Sequence, residues 1–239
     1  MSFAAKTAAY ILALLTALLC LAGCMRLDDG ADDPKKPGGV PYATAEPVPT
    51  SSSYKFALVI ISKSMELNGC SVTYPFVCDQ NSEMLNVAIH AAFAEFADYC
   101  DSPGSSITYT TEFNRYGLLS FLMICSSEDG RQLAADTANF DCGSIRRIYL
   151  SSCFGADRQF EERLGEIVLR EAEAAGGELL TGLPPMDDSR LFVFTLGGLC
   201  LFYREYELFP TGGGLMRIRV GLEELEDCIA PDGLLTRLG

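Results

Sequence analysis

At 239 residues the chain can form one sizeable folded unit or two small ones. Hydrophobic residues make up 49% and charged residues 21%, the balance of a globular protein, with part of the hydrophobicity concentrated in the first 23 residues. The formal net charge is -14, and because residues 1–23 contribute only Lys6, the remainder keeps 17 basic against 32 acidic side chains, or -15. Such a surface repels nucleic acid and anionic lipid head groups, whose phosphates need clustered Lys and Arg, and favours a basic partner.

The N-terminus carries one positive charge at Lys6, an apolar run from Thr7 to Leu19, and then Cys20-Leu21-Ala22-Gly23-Cys24. A charged start, an apolar middle and small residues at a cleavage point are the parts of a secretory signal. Leu21-Ala22-Gly23-Cys24 resembles the bacterial lipobox, which implies acylation of the Cys24 thiol and cleavage before it. The alternative is a membrane-spanning anchor, for which about 17 apolar residues fall short of the roughly 20 that cross a bilayer. The expectation is a signal peptide over 1–23 and a palmitate-type lipid on Cys24, holding the protein on the extracytoplasmic face of the cell membrane. Residues 24–53, with five prolines and three glycines after Cys24 and almost no bulky apolar side chain, predict a disordered linker. A flexible linker of that length reaches roughly 30 Å.

From Tyr54 to residue 239 the texture is that of a folded domain, with residues 126–144 marking where it could subdivide. YKFALVIISKS predicts an apolar strand, and Glu66 to Val77 a second, with Val72, Tyr74 and Phe76 on one face and pairing expected to end at Pro75. Leu85, Ala88, Ile89, Ala92, Phe93, Phe96 and Cys100 recur at helical spacing behind Asn81 or Ser82 as cap. Ser106–Phe113 and Leu118–Cys125 read as a hairpin closed at Asn114–Gly117, with Ile107, Tyr109, Thr111 and Phe113 on one face.

Ile145–Leu150 predicts a short strand. An amphipathic helix follows from about Asp157 to Ala175, with Phe160, Leu164, Ile167 and Val168 inward and Gly176-Gly177 as the stop. Arg190–Leu196 and Leu199–Glu207 predict a hairpin turning on Gly197-Gly198, followed by a strand over Leu215–Val220 and a short helix over Leu222–Ile229. Neighbouring strands joined by hairpins, with two amphipathic helices, define an α+β fold built on antiparallel sheets.

Chemistry-bearing patterns are sparse. His90 is the only histidine and falls at the edge of the first helix's apolar face, which excludes a two-histidine metal motif. Glu161-Glu162, Asp187-Asp188 and Glu223-Glu224 are sequence neighbours, and on a helix such residues point about 100° apart rather than at one substrate. Gly212-Gly213-Gly214 precedes a strand and reads as a bend rather than an anion cradle. Phe192, Phe194, Phe202, Tyr203, Tyr206 and Phe209 stand at strand spacing, a pattern of core packing that could alternatively form a binding face. No catalytic, metal-binding or cofactor-binding residue is assigned, and the ligand-binding residues are left open.

Beyond Cys24 eight cysteines remain. An even count in an exported chain fits disulfides, and Cys70 with Cys78 and Cys142 with Cys153 are the shortest closures; buried free thiols are the other reading.

The stretch LFVFTLGGLCLFYREYELFPTGGGLMRIRVGLEEL, with Tyr206, Pro210, Gly214, Ile218, Val220 and Leu225, resembles the C-terminal motif of a domain-of-unknown-function family. That family occurs in the extracellular part of RsiV-type anti-sigma factors and beside the deacetylase module of PdaC. Val72-Thr73-Tyr74-Pro75-Phe76, Asn81 to Ile89 and Ile148 to Phe154 are similar to its N-terminal parts. Ser126 to Ala138 departs from it, with SSEDGRQLAADTA in place of a Gly-Gly-Ala-His-like segment. The resemblance implies a binding or sensing domain for a protein or cell-wall ligand. RsiV recognises lysozyme, so a basic protein of that kind is the expected partner, alongside the membrane. Lipidation at Cys24 would place the mature chain outside and exclude RsiV's route of transmembrane signalling. The PdaC association raises the rival expectation, an envelope polysaccharide-modifying enzyme or its accessory module, although no part of this sequence resembles the PdaC catalytic module.

Overall fold

The computed structural model describes residues 57–154, 159–176, 179–180, 182–210, 214–231 and 233–238. The signal, the Cys24 lipid site and the linker to residue 53 lie outside the described residues. Among the described residues two sheets and two helices make an α+β fold. Strands β1 (Ile60–Leu67), β2 (Cys70–Val77), β3 (Ser106–Arg115), β4 (Leu118–Ser126), β5 (Gln132–Asp141) and β6 (Arg146–Ile148) lie in that order in one sheet. Strands β7 (Leu191–Thr195), β8 (Gly198–Tyr203) and β9 (Met216–Gly221) form a second, antiparallel sheet. Helix α1 (Glu83–Cys100) crosses between β2 and β3, and α2 (Gln159–Ala174) precedes β7.

The crossover makes β2 and β3 parallel, through the pairs Ser71↔Ser106 and Val72↔Ile107, so the larger sheet is mixed rather than wholly antiparallel. Pairing of β1 with β2 does not end at Pro75, which sits opposite Ser62 with two further pairs beyond it. On its β3 side β2 has no ladder past Val72, which leaves room for a residue without an N–H. Ser82 is the residue before α1 but makes no side-chain cap bond. Instead Asn86 ties α1 to β2, its Oδ1 accepting from Val77 N at 2.8 Å and its Nδ2 donating to Val77 O at 2.9 Å.

Successive residues of β4 point to opposite faces and serve two cores. Leu119, Phe121, Met123 and Cys125 pack with Leu85, Ile89, Phe93 and Phe96 of α1. Leu118 joins a core made by α2 and the second sheet, with Phe160, Leu164, Ile167 and Val168 against Phe194, Leu201 and Ile218. Leu122 joins a smaller cluster with Val193 and Phe202. The expected common face of Ile107, Tyr109, Thr111 and Phe113 does not exist. A bulge between Thr111 and Phe113 flips the strand, leaving Thr111 exposed and sending Phe113 into the α2 core.

Residues 126–144, for which the sequence suggested no element, form the β4–β5 turn, β5 and the turn into β6, and lie inside the continuous sheet. The strand expected over Ile145–Leu150 shortens to three residues, because Leu150–Cys153 turns into a 3-10 helix. β8 ends at Tyr203, and its hairpin turns on Leu196-Gly197 rather than Gly197-Gly198. Gly198 belongs to the strand, where an added Cβ would meet Val220 O at 2.0 Å. The expected terminal helix is two short 3-10 turns, Leu222–Glu224 and Glu226–Cys228.

Candidate functional site

β6 pairs with β5 only from Asn139 to Asp141, so among the described residues the edge of β5 from Gln132 to Ala138 has no strand beside it. A cleft of about 510 Å³ opens there, between Glu95 and Tyr99 of α1 on one side and the segments at Pro184–Arg190 and Arg204–Glu207 on the other. Two arginines close the bare strand edge. Arg204 donates to Ala135 O at 3.3 Å and Arg147 to Thr137 O at 3.4 Å, while Thr137 N is taken by the Asp136 carboxylate at 2.7 Å.

The charges are nearly balanced but unevenly paired. Arg147 meets Glu95 at 2.7 Å and Asp136 only at 3.7 Å, with its guanidinium 5.6 Å from the centre of the Tyr149 ring. Burial pushes the Asp136 carboxyl above its ordinary value, although the Thr137 N–H and the charges of Arg147 and Arg204 pull it down. Arg190 is buried and structural: it bonds Glu207 at 2.7 Å and the carbonyls of Pro185 and Phe202, over the Tyr203 ring at 4.4 Å. At the back of the cleft Asn139 Nδ2 donates to Phe192 O at 2.8 Å, and Asn139 Oδ1, fully buried, has no hydrogen-bond partner among the described residues. The arrangement is suited to holding an extended segment that carries donors and positive charge.

Few residues singled out in the sequence meet here. Phe192 contributes to the cleft wall, while Phe194, Phe202 and Tyr203 are core residues. Tyr206 is exposed and Phe209 half-buried. His90 is exposed, edge-on to Tyr74 at 5.4 Å. Asp188 lies on the cleft rim and accepts from Ser151 N, whereas Glu224 is bound by Arg170 and Gly221 N; no adjacent acid pair forms a site. Gly212 and Gly213 fall outside the described residues, and Gly214 has a positive φ of 79°.

Among the described residues Cys70, Cys78, Cys100, Cys125, Cys142, Cys153 and Cys200 form no disulfide with one another. Cys70 and Cys78 bound the length of β2, about 26 Å at roughly 3.3 Å per residue, so the expected closure is geometrically impossible. Cys142 belongs to the α1 core and Cys153 to the α2 core, which separates that pair too. Burial pushes the Cys142 thiol up to about 12.

Asp136, Arg147 and Arg204 were not anticipated. Asp136 had a readable signal, since Ala134, Ala138 and Phe140 share its strand face and a carboxylate interrupts an otherwise apolar period-two series. It also falls within Ser126–Ala138, the stretch that departs from the family pattern.

No family model matches the sequence, and no curated protein does. Solved structures do share the fold. A member of the DUF3298 family from Bacteroides fragilis superposes with a TM-score of 0.55 at 13% identity, covering 79% of this chain and 98% of that one. A DUF3298 family protein from Pseudomonas aeruginosa gives 0.51 at 13% identity, over 74% and 96%. At that identity the likeness is one of fold, and the protein has the α+β fold of DUF3298 family structures.

Proposed function

We propose that this chain is an exported lipoprotein, anchored at the extracytoplasmic face of the cell membrane through Cys24, whose folded part is a non-enzymatic recognition domain for a basic protein such as lysozyme. The observation that carries the reading is the bare edge of β5 in the cleft, closed by side chains of Arg147, Arg204 and Asp136 rather than by a strand among the described residues, and bordered by Glu95 and Asp188. An extended loop of a partner would take over the backbone groups of Ala135 and Thr137 by strand addition, and its lysines or arginines would meet the under-paired Asp136. The excess of acidic side chains accelerates encounter with a basic protein. The lipobox resemblance supports the anchor, and the fold shared with DUF3298 structures supports the resemblance to RsiV-type domains.

Calorimetry of the full chain against lysozyme at low and at physiological salt tests the ligand. Heat that persists at physiological salt and is lost with Asp136→Asn is expected; heat at low salt only, or none, rejects specific recognition, because charge alone is screened over about 8 Å. Turnover of peptidoglycan fragments, abolished by a chelator, would favour the enzyme reading instead. Fatty-acid labelling that depends on Cys24 tests the anchor.

A further inference from the structure

Three hairpin turns meet at one end of the domain. The β3–β4 turn touches the β5–β6 turn directly, through Cys142 N donating to Gly117 O at 2.8 Å. The β7–β8 turn borders the same place, since Leu196 and Arg219 line one shallow depression with Asn114 and Arg115. Each turn presents a large apolar side chain to solvent: Tyr116 at 39% exposure, Ile145 at 37% and Leu196 at 64%. Tyr116 and Ile145 do so at positive φ, 55° and 57°, a conformation that disfavours a β-branched residue such as Ile.

The charges at this end are near balance, unlike the acidic excess of the whole protein. Arg115, Arg146 and Arg219 are exposed and make no ion pair among the described residues. The carboxylates Glu112 and Asp141 are already held by Arg217 and Arg237, while Asp79, Glu83 and Glu223 are also exposed at this end. The opposite end carries Asp98, Asp101, Glu128 and Asp129 against Arg131. Since exposed charges act over about 8 Å at physiological ionic strength, each end meets a charged surface with its own balance.

The chain also enters the fold at the arginine end. Leu58, almost the first described residue, is clamped by Asn114 beside the Tyr116 turn, N to Oδ1 and Nδ2 to O, both at 2.9 Å. The 33 residues from Cys24 to Phe56 therefore join the domain at this end.

We propose that the three turns form a membrane-docking face, in which Tyr116, Ile145 and Leu196 enter the interfacial region of a bilayer and Arg115, Arg146 and Arg219 engage anionic lipid headgroups. Apolar tips flanked by cations have the amphipathic composition of an interfacial binding surface. The proposal rests on the lipid-anchor reading for its setting: an anchored chain would reach the bilayer from this end. It also limits the expectation that an acidic surface repels anionic lipid, which holds for the net charge but not for this end.

The sequence contains no tryptophan, so one introduced residue reports its own depth. In the full chain, Leu196→Trp places the reporter on the docking face and Leu133→Trp places it by the opposite, acidic end. With mixed phosphatidylcholine–phosphatidylglycerol vesicles carrying brominated acyl chains, the Leu196→Trp emission should shift blue and be quenched, and the Leu133→Trp emission should not. Adding Arg115→Glu, Arg146→Glu and Arg219→Glu should remove most of that quenching while leaving the melting temperature unchanged. Equal quenching at both positions, equal quenching in neutral phosphatidylcholine, or none at position 196 overturns the proposal. Quenching at position 196 in a protein whose Cys24 takes no fatty-acid label would refute the anchor and leave the docking face standing; a labelled protein with an unquenched reporter would do the reverse.

Discussion

The two faces of the six-stranded sheet solve different problems. Against α1 the face is apolar from Val72 to Phe140 apart from Asp136 at its β5 edge, and most side chains need only fill volume. On the opposite face Ser120 and Thr137 accept from Phe194 N and Phe192 N at 3.0 and 3.2 Å, and Asn139 donates to Phe192 O. There the side β7 turns away from β8 abuts the sheet, and its backbone groups would otherwise be buried without partners. Three polar side chains close the strand edge where a fourth strand would normally do so. The lesson is that buried polar residues on a strand can mark where another sheet's edge docks.

The largest effect expected from this contrast is at the centre of the dry face. Phe93→Ala removes a fully buried ring that lies edge-on to Tyr109 at 5.9 Å, and should cost about 3–5 kcal/mol in chemical denaturation. A loss below 1 kcal/mol would mean the α1 core is not close-packed. Ser120→Ala on the other face deletes few atoms but leaves Phe194 N buried and unpaired, at about 1–3 kcal/mol. If Ser120→Ala were neutral, the docked edge would have another source of acceptors.

The smallest effects, and the most diagnostic, separate two carboxylates on β5 by the sign of their pH dependence. Burial works against ionisation of Asp141, but hydrogen bonds from Arg237 and Ser144 outweigh it and hold the carboxyl below its ordinary value. Its stabilisation is present above the unfolded pKa and lost as pH falls through the folded one. Asp141→Asn should therefore be destabilised at neutral pH, with the difference fading on acidification. Asp136 is shifted the other way, chiefly by burial, so it takes up protons on folding and stability declines as pH rises through the window between its unfolded and folded values. Asp136→Asn should remove that decline. Melting temperatures of both variants across the acid range would show opposite slopes relative to the parent; parallel slopes contradict the assignment.

Legibility of the fold followed the range of the interaction involved. Helix α1 was readable because residues three and four apart in sequence share its buried face, and Leu85, Ile89, Phe93 and Phe96 do so. The two hairpins were readable because a turn is local, with Tyr116-Gly117 and Gly197 each supplying positive φ. β5 was missed because its Ala-Ala-Asp-Thr-Ala-Asn core has low strand propensity; partners on both sides place it in the sheet. The disulfide closures failed because short sequence separation was taken for proximity, whereas a strand holds Cys70 and Cys78 as far apart as eight residues allow.

The sequence by itself determined the α+β class, both helices, most strands, the acidic balance and the apolar identity of the cores, since periodicity and composition are written into neighbouring residues. Only the tertiary structure decided the parallel join of β2 to β3, the flip of Phe113 at the bulge, the docking of β7 and the cleft at the open edge of β5. Each of these depends on residues brought together from distant parts of the chain. Arg204 reaches Ala135 across 69 positions and Asn139 reaches Phe192 across 53, and no local pattern encodes which strand edge is left bare or which side chain arrives to close it.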